Sequence, residues 1–380
     1  MEVTPTVALM PLVDETSDGG TPWFSDLLKK SFHPSTRGLL IEQDGGNEPH
    51  YFISVSEFEL WVGEVEKSLG HPLGRKLAHA AAESEEYRFL RTSEELVNSF
   101  FKRKRMQKRF EQVNENWNIR GFGQIELMKE EKSSTKIIIH HRAHSAIAAG
   151  LAAATYEILT DSRYRFHWTD DGNAECLVTL ETDRRQIPPA QKVDERWQDD
   201  DASDSIAEGM HPLELAFHEG PGQWSIDGIR MMGLRRDMFL RFEESIMPQV
   251  FNQEPSSPER YTWNSIQDEE RKKVWSGFAE ASRKRFLETD SMVLVAELDH
   301  WIHVGHRFLT RLGLGGVKSA EQIDEAGGIK LHLPALFHPA IAAGVLSAAW
   351  ERVEARPSHL TWSTSHNGHF FEISSLHDLA

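Results

Sequence analysis

Apolar and polar positions recur along the chain in blocks that predict its elements. "RGLLIEQDGGNEPHYFISV" predicts two strands around a turn at Asp44-Gly45-Gly46. "SEFELWVGEVEKSLG" has helical spacing, with Ser56 and Glu59 as a capping box and Gly70 as its stop. "PLGRKLAHAAAESEEYRFL" predicts a second helix, and "TSEELVNSFFKRKRMQKRFEQVNENW" a third that Thr92 and Glu95 would open. Strands "GQIELMK" and "TKIIIHH", a small-residue helix and the hairpin "YRFHWTDDGNAECLVTL", turning at Asp171-Gly172, complete the first part. After residue 210 the plan returns. "SIDGIRMMGL" and the helix "RRDMFLRFEESIMPQVF" lead to helices through "VWSGFAEASRKRF" and "SMVLVAELDHWIHVGHRFLTRL". Strands "GGVKSAEQ" and "GGIKLHL", a second small-residue helix and a closing hairpin follow.

The two small-residue helices carry the same pentapeptide, AIAAG, at residues 146–150 and 340–344. A histidine precedes each, His144 and His338, and a tryptophan follows each glycine at the same distance, Trp168 and Trp362. Upstream stand the glycine pairs Gly121/Gly123 and Gly313/Gly315, displaced by 192 residues where the pentapeptides are displaced by 194. The pattern predicts two copies of one α+β domain, each with helices first and then strand–strand–helix–strand–strand. The expected boundaries are an arm over 1–22, a first domain over 23–183, an acidic Pro-containing linker over 184–210 and a second domain over 211–380. A glycine inside a helix costs roughly 1 kcal/mol relative to alanine. Gly150 and Gly344 therefore imply a close packing partner, and the small-residue stripe beside them also leaves room for a ligand.

Net charge of −17 over 380 residues opposes nucleic acid and anionic membranes as partners. A single cysteine, Cys176, excludes an internal disulfide and a cysteine-rich zinc site. No apolar run reaches the roughly 18 residues of a membrane span, and the first residues lack a basic signal-type region, so the expectation is a cytoplasmic protein without membrane insertion.

"NWNIRGFGQIEL" followed by "KIIIHHRAHSAIAAGLAAATYEILTDSRYRFHWTDDGNAECLVTL" resembles the core of the 4-vinyl reductase-type small-molecule-binding domain. The order of Gly121-Phe122-Gly123, Gly150 and Glu175-Cys176 carries the likeness. In the second copy Gly313-Leu314-Gly315 and Gly344 match, while Phe371 stands in place of the cysteine. The resemblance implies an α+β fold related to vesicle-tethering TRAPP subunits and haem–nitric-oxide-binding domains. It also implies a small apolar or aromatic ligand, and copies that pair within the chain as a pseudo-dimer. Some members hold zinc through several cysteines, and the haem branch uses a Tyr-x-Ser-x-Arg clamp; this chain has neither, so neither cofactor is expected.

The expected ligand lining is Trp117, Phe122, His144 and Trp168 in the first copy and Leu314, His338, Trp350 and Trp362 in the second. Gly121, Gly123, Gly150, Gly313, Gly315 and Gly344 are expected to be structural. "FKRKRMQKR" places Lys102, Arg103, Arg105 and Arg109 together, a solvated helix face or a site for an anionic protein partner. On a helix "HWIHVGH" would put His300 and His303 on one face and turn His306 away, which does not make a three-ligand metal site. "GFGQ" and "GLGG" lead into strands, so they offer no helix N-terminus to a phosphate. No catalytic constellation stands out. The expected function is therefore a non-catalytic small-molecule sensor. The alternatives are an adaptor with closed pockets, or an enzyme whose active site is gathered only by folding.

Overall fold

The computed structural model describes residues 24–43, 46–91, 106–131, 133–170, 172, 174–185, 187–251 and 259–377. The arm over 1–22, the cap at Thr92 and Glu95, and Lys102, Arg103 and Arg105 lie outside the described residues.

The fold is α+β. The first half runs α1 (Phe24–Ser31), β1 (Phe32–Pro34), β2 (Leu40–Glu42), β3 (Glu48–Ser54), α2 (Val55–Leu69), α3 (Gly74–Arg91) and α4 (Met106–Arg120). It continues with β4 (Gln124–Glu130), β5 (Ser134–His140), α5 (Ser145–Thr160), β6 (Tyr164–Asp170) and β7 (Cys176–Thr182). The second half runs β8 (Ala216–Gly220), β9 (Gln223–Ile226), β10 (Ile229–Arg235), α6 (Arg236–Ile246), β11 (Tyr261–Trp263), α7 (Glu269–Glu288) and α8 (His300–Phe308). It ends with β12 (Ser319–Gln322), β13 (Ile329–Leu333), α9 (Pro339–Glu354), β14 (Ser358–Ser365) and β15 (Gly368–Ser375).

Each half has its own sheet, ordered β4-β5-β7-β6 in the first and β11-β14-β15-β13-β12 in the second. A third sheet belongs to both, in the order β1-β2-β3-β10-β9-β8, with β3 and β10 antiparallel at its centre. The glycine pairs hold this shared sheet in place. Gly123 N–H donates to the carbonyl of Gly222 and Gly315 N–H to that of Gly38, both at 3.0 Å. Gly38 lies before β2 and Gly222 before β9, so the meander of each half docks on the glycine step of the other. A Cβ on Gly222 would lie 2.1 Å from the Gly123 carbonyl oxygen, and one on Gly38 2.4 Å from the Gly316 nitrogen. Both glycines also have positive φ, so no other residue fits easily. Helices cross in the same reciprocal way, α2 against α7 and α3 against α6. One continuous hydrophobic core runs through both halves.

Two helix starts differ from expectation. Ser54, not Ser56, caps α2, accepting from Glu57 N–H at 3.1 Å; the same Ser-x-x-Glu spacing occurs two residues earlier than the expected box. The segment expected to be helical from Ser291 is irregular as far as α8. Val293 and Val295 reach the core while Met292 and Leu294 face outward, and this period of two is incompatible with a helix.

The acidic segment over 184–210 is not a free tether. Trp197 is buried against Trp275 and His338, with ring centroids 5.9 and 5.4 Å away. Asp199 accepts from His369 Nε2 at 2.8 Å, and Asp200 N–H donates to the Pro334 carbonyl at 2.8 Å. Burial works to raise the Asp199 carboxyl, but the hydrogen bond from His369 and the charge of Arg236 outweigh it and hold the group below its ordinary value.

Candidate ligand-binding cavity

Gly150 and Gly344 do the same job in their helices. A Cβ on Gly150 would stand 2.0 Å from the Ala78 carbonyl oxygen of α3; one on Gly344 would stand 2.1 Å from the Ala279 carbonyl oxygen of α7. Helix backbones touch at both points, so the stripe itself holds no ligand.

The open space lies to either side of the Gly344 contact. Ile341 and Val345 of α9 line a cavity of about 380 Å³, within the roughly 300–1,000 Å³ range of small-molecule sites. Tyr51 and Ile53 of β3 and Met231 of β10 bring the shared sheet to it. Trp61 of α2, Phe286 of α7 and Leu314 enclose it further. Trp61 is fixed by its Nε1–H, which donates to Ser282 Oγ at 2.9 Å. Among the described residues the Tyr51 hydroxyl has no hydrogen-bond partner, although the side chain is only 8 % exposed. Burial raises the phenol above its usual range, so it is protonated and able to donate. Arg285, Arg307, Arg311 and Asp227 bring charge to the lining.

The counterpart of this cavity in the first half is filled with charge. Glu42 stands four residues beyond Gly38, as Ile226 does beyond Gly222. Glu85 stands seven residues beyond the Ala78 carbonyl, as Phe286 does beyond that of Ala279. Arg120 precedes one glycine step and Leu312 the other; Arg235 ends β10 as Ser54 ends β3. Ile226, Phe286, Leu312 and Ser54 all line the cavity. Glu42, Glu85, Arg120 and Arg235 instead form one buried ion network with Arg88. Arg120 grips Glu85 with both terminal nitrogens at 2.7 and 2.8 Å. Glu42 receives Arg235 at 2.6 Å and Arg88 at 3.3 Å. Burial disfavours both carboxylates. At Glu85 the charge and hydrogen bonds of Arg120 outweigh it; at Glu42 the charge that His50 carries only in strong acid, and at any pH the charges of Arg88 and Arg235, do.

Of the eight residues expected to line ligand sites, only Leu314 lies on this cavity. Trp117, Trp350 and Trp362 are fully buried core residues. Trp117 packs on Phe122, Trp362 packs on Trp275, and Trp350 donates to the Gly327 carbonyl at 2.9 Å. Trp168 stacks on Phe166 on β6, away from the shared sheet. His338 caps α9, accepting from Ala340 N–H at 3.2 Å, and faces Glu243 Oε2 at 3.0 Å. His144 makes no side-chain cap bond and packs edge-on to Phe58. Arg109 donates to the Leu159 carbonyl at 2.8 Å near the end of α5. Among the described residues no group of three or more His, Cys, Asp and Glu could hold a metal, and no helix is long and apolar enough to cross a membrane.

Burial keeps two imidazoles neutral. It pushes His50 down to about 3, against the pull of Glu42, and His144 down to about 4, with Arg142 adding to the shift. Both bind a proton more readily in the unfolded chain, so stability is present above pH ~6.5 and falls as pH drops below it. His79, His211 and His369, also lowered chiefly by burial, act in the same direction. At pH 5 each of His50 and His144 should cost roughly 2 kcal/mol relative to pH 7. Urea unfolding should show a lower midpoint at pH 5, with a shallower pH dependence in His50→Met. Equal midpoints at the two pH values would contradict this.

Comparison of the chain with family models, with curated proteins and with solved structures gives no match.

Proposed function

We propose that this chain is a non-catalytic small-molecule-binding protein whose ligand occupies the cavity between α9, α7 and the shared sheet. The carrying observation is the contrast between counterpart sites. One site is filled by Glu42, Glu85, Arg88 and Arg120 of the first half with Arg235 of β10, while the other keeps mainly apolar walls from both halves around about 380 Å³. An apolar-walled space of this size falls in the range that small-molecule sites occupy, which supports the reading. Duplication of one domain accounts for the reciprocal contacts, and small-molecule binding is the role implied by the resemblance to 4-vinyl reductase-type domains.

Thermal unfolding with neutral apolar compounds (toluene, indole and octan-1-ol) tests this reading. At least one should raise the melting temperature, since a ligand at 100 times its Kd stabilises by about 2.7 kcal/mol. Val345→Trp should fill the cavity and abolish the shift while the variant still melts cooperatively. The reading fails if no compound shifts the wild type, or if Val345→Trp binds as tightly.

A further inference from the structure

We infer that the cavity selects a monoanionic amphiphile: an apolar body of modest size ending in one carboxylate. The inference rests on the cavity being a ligand site and adds the chemistry of its occupant. The interior walls supply the apolar half, through Ile53, Trp61, Phe286 and Ile341. The lining charges supply the anionic half. Arg285 is committed to Glu57 at 3.2 Å and also to Glu288. Arg307 and Arg311 are different. Both are exposed, and among the described residues neither has a carboxylate partner. Arg307 only touches the Met292 carbonyl at 3.4 Å and the ring of Phe308.

Two arginines without a carboxylate partner among the described residues thus stand beside an apolar cavity in a chain of net charge −17. A guanidinium is suited to bind a carboxylate through paired N–H donors. The count of charges favours one negative charge over two. Arg285 and Glu57 cancel, and exposed Asp227 offsets one of the remaining arginines, leaving the lining one positive. A phosphate dianion would meet Asp227 and the overall negative field with only that single excess charge. Tyr51 gives the site a hydroxyl donor without a protein partner among the described residues, able to meet a carboxylate oxygen or a polar group on the ligand body.

Isothermal titration of the full chain with octanoate, octan-1-ol and octylamine, at matched chain length, tests the ligand class. Octanoate should bind at least tenfold more tightly than octan-1-ol, and octylamine least tightly. Raising the salt should weaken octanoate alone. The double variant Arg307→Gln/Arg311→Gln alters exposed side chains and should fold; in it octanoate should fall to the affinity of octan-1-ol, which should not change. If octan-1-ol and octanoate bind the wild type alike, the anionic class is overturned and the apolar cavity reading stands. If octanoate keeps its advantage in the double variant, the role of these arginines is overturned. If neither compound binds, both readings fall together.

Discussion

Replacing Gly344 with alanine should lower stability by about 3 kcal/mol, while the same change at Gly63 should raise it by up to about 1 kcal/mol. Both glycines sit inside helices, Gly344 in α9 and Gly63 in α2. Helix propensity favours alanine equally at both, by roughly 1 kcal/mol. Their surroundings decide the sign. Around Gly63 an added Cβ meets nothing within 4 Å. At Gly344 it would stand 2.1 Å from the Ala279 carbonyl oxygen, 2.7 Å from Ser282 Cβ and 2.9 Å from Arg283 N. Two of those atoms are backbone, so no rotamer change relieves the contact and α7 must move from α9. Overpacking usually costs about 1–3 kcal/mol where side chains can yield; against backbone roughly 4 kcal/mol is expected, which the propensity gain reduces to about 3. Gly150→Ala faces the same obstacle in the Ala78 carbonyl. The double variant should approach the roughly 5–15 kcal/mol that a folded chain has in total, and be largely unfolded. Urea unfolding of the four variants reads these changes directly. A Gly344→Ala protein as stable as the wild type would show that the helices separate at little cost.

That close approach was legible because a glycine repeated inside a helix carries a propensity cost that close packing of a second backbone offsets. The closing hairpins and the strand–strand–helix order were legible for a similar reason, since periodicity and turn residues act locally. The shared sheet was not. β1 and β8 are three and five residues long, and β8, "AFHEG", has neither alternation nor length to mark it. What holds them is a pairing of Gly38 with Gly315 and of Gly222 with Gly123, a long-range match that no local window contains. The cavity was hidden for the same reason. Its walls come from Tyr51, Ile53 and Trp61 in one half and Phe286, Leu314 and Ile341 in the other. The tryptophans at repeated positions are more conspicuous along the chain, and their large rings serve the core. A usable signal did exist. Aligning the halves on Gly38 and Gly222 sets Glu42 against Ile226, and the helix contacts set Glu85 against Phe286. Charge facing hydrocarbon at these positions marks the place where the halves differ.

The same contrast predicts an unequal mutant cycle in the first half. Arg120→Leu should destabilise by about 3–5 kcal/mol, because Glu85, 1 % exposed, would lose its two-point partner and remain buried with only Arg88 nearby, at 3.9 Å. Glu85→Phe alone should cost a similar amount, since it strands Arg120, also 1 % exposed. The double variant Glu85→Phe/Arg120→Leu installs the residues that the second half uses, Phe286 and Leu312. It removes one charge of each sign, so Glu42 keeps Arg88 and Arg235 and the net charge of the cluster does not change. Desolvation of an ion pair nearly cancels its attraction, so the double variant should lie within about 2 kcal/mol of the wild type, well above either single variant. Urea unfolding across the cycle should then give a favourable coupling of roughly 4 kcal/mol or more between the two positions. Additive losses, with the double variant the least stable of all, would mean that the network holds the first half together through shape specific to Glu85 and Arg120. In that case the apolar arrangement of the second half could not be transplanted, and the two sites would not be counterparts.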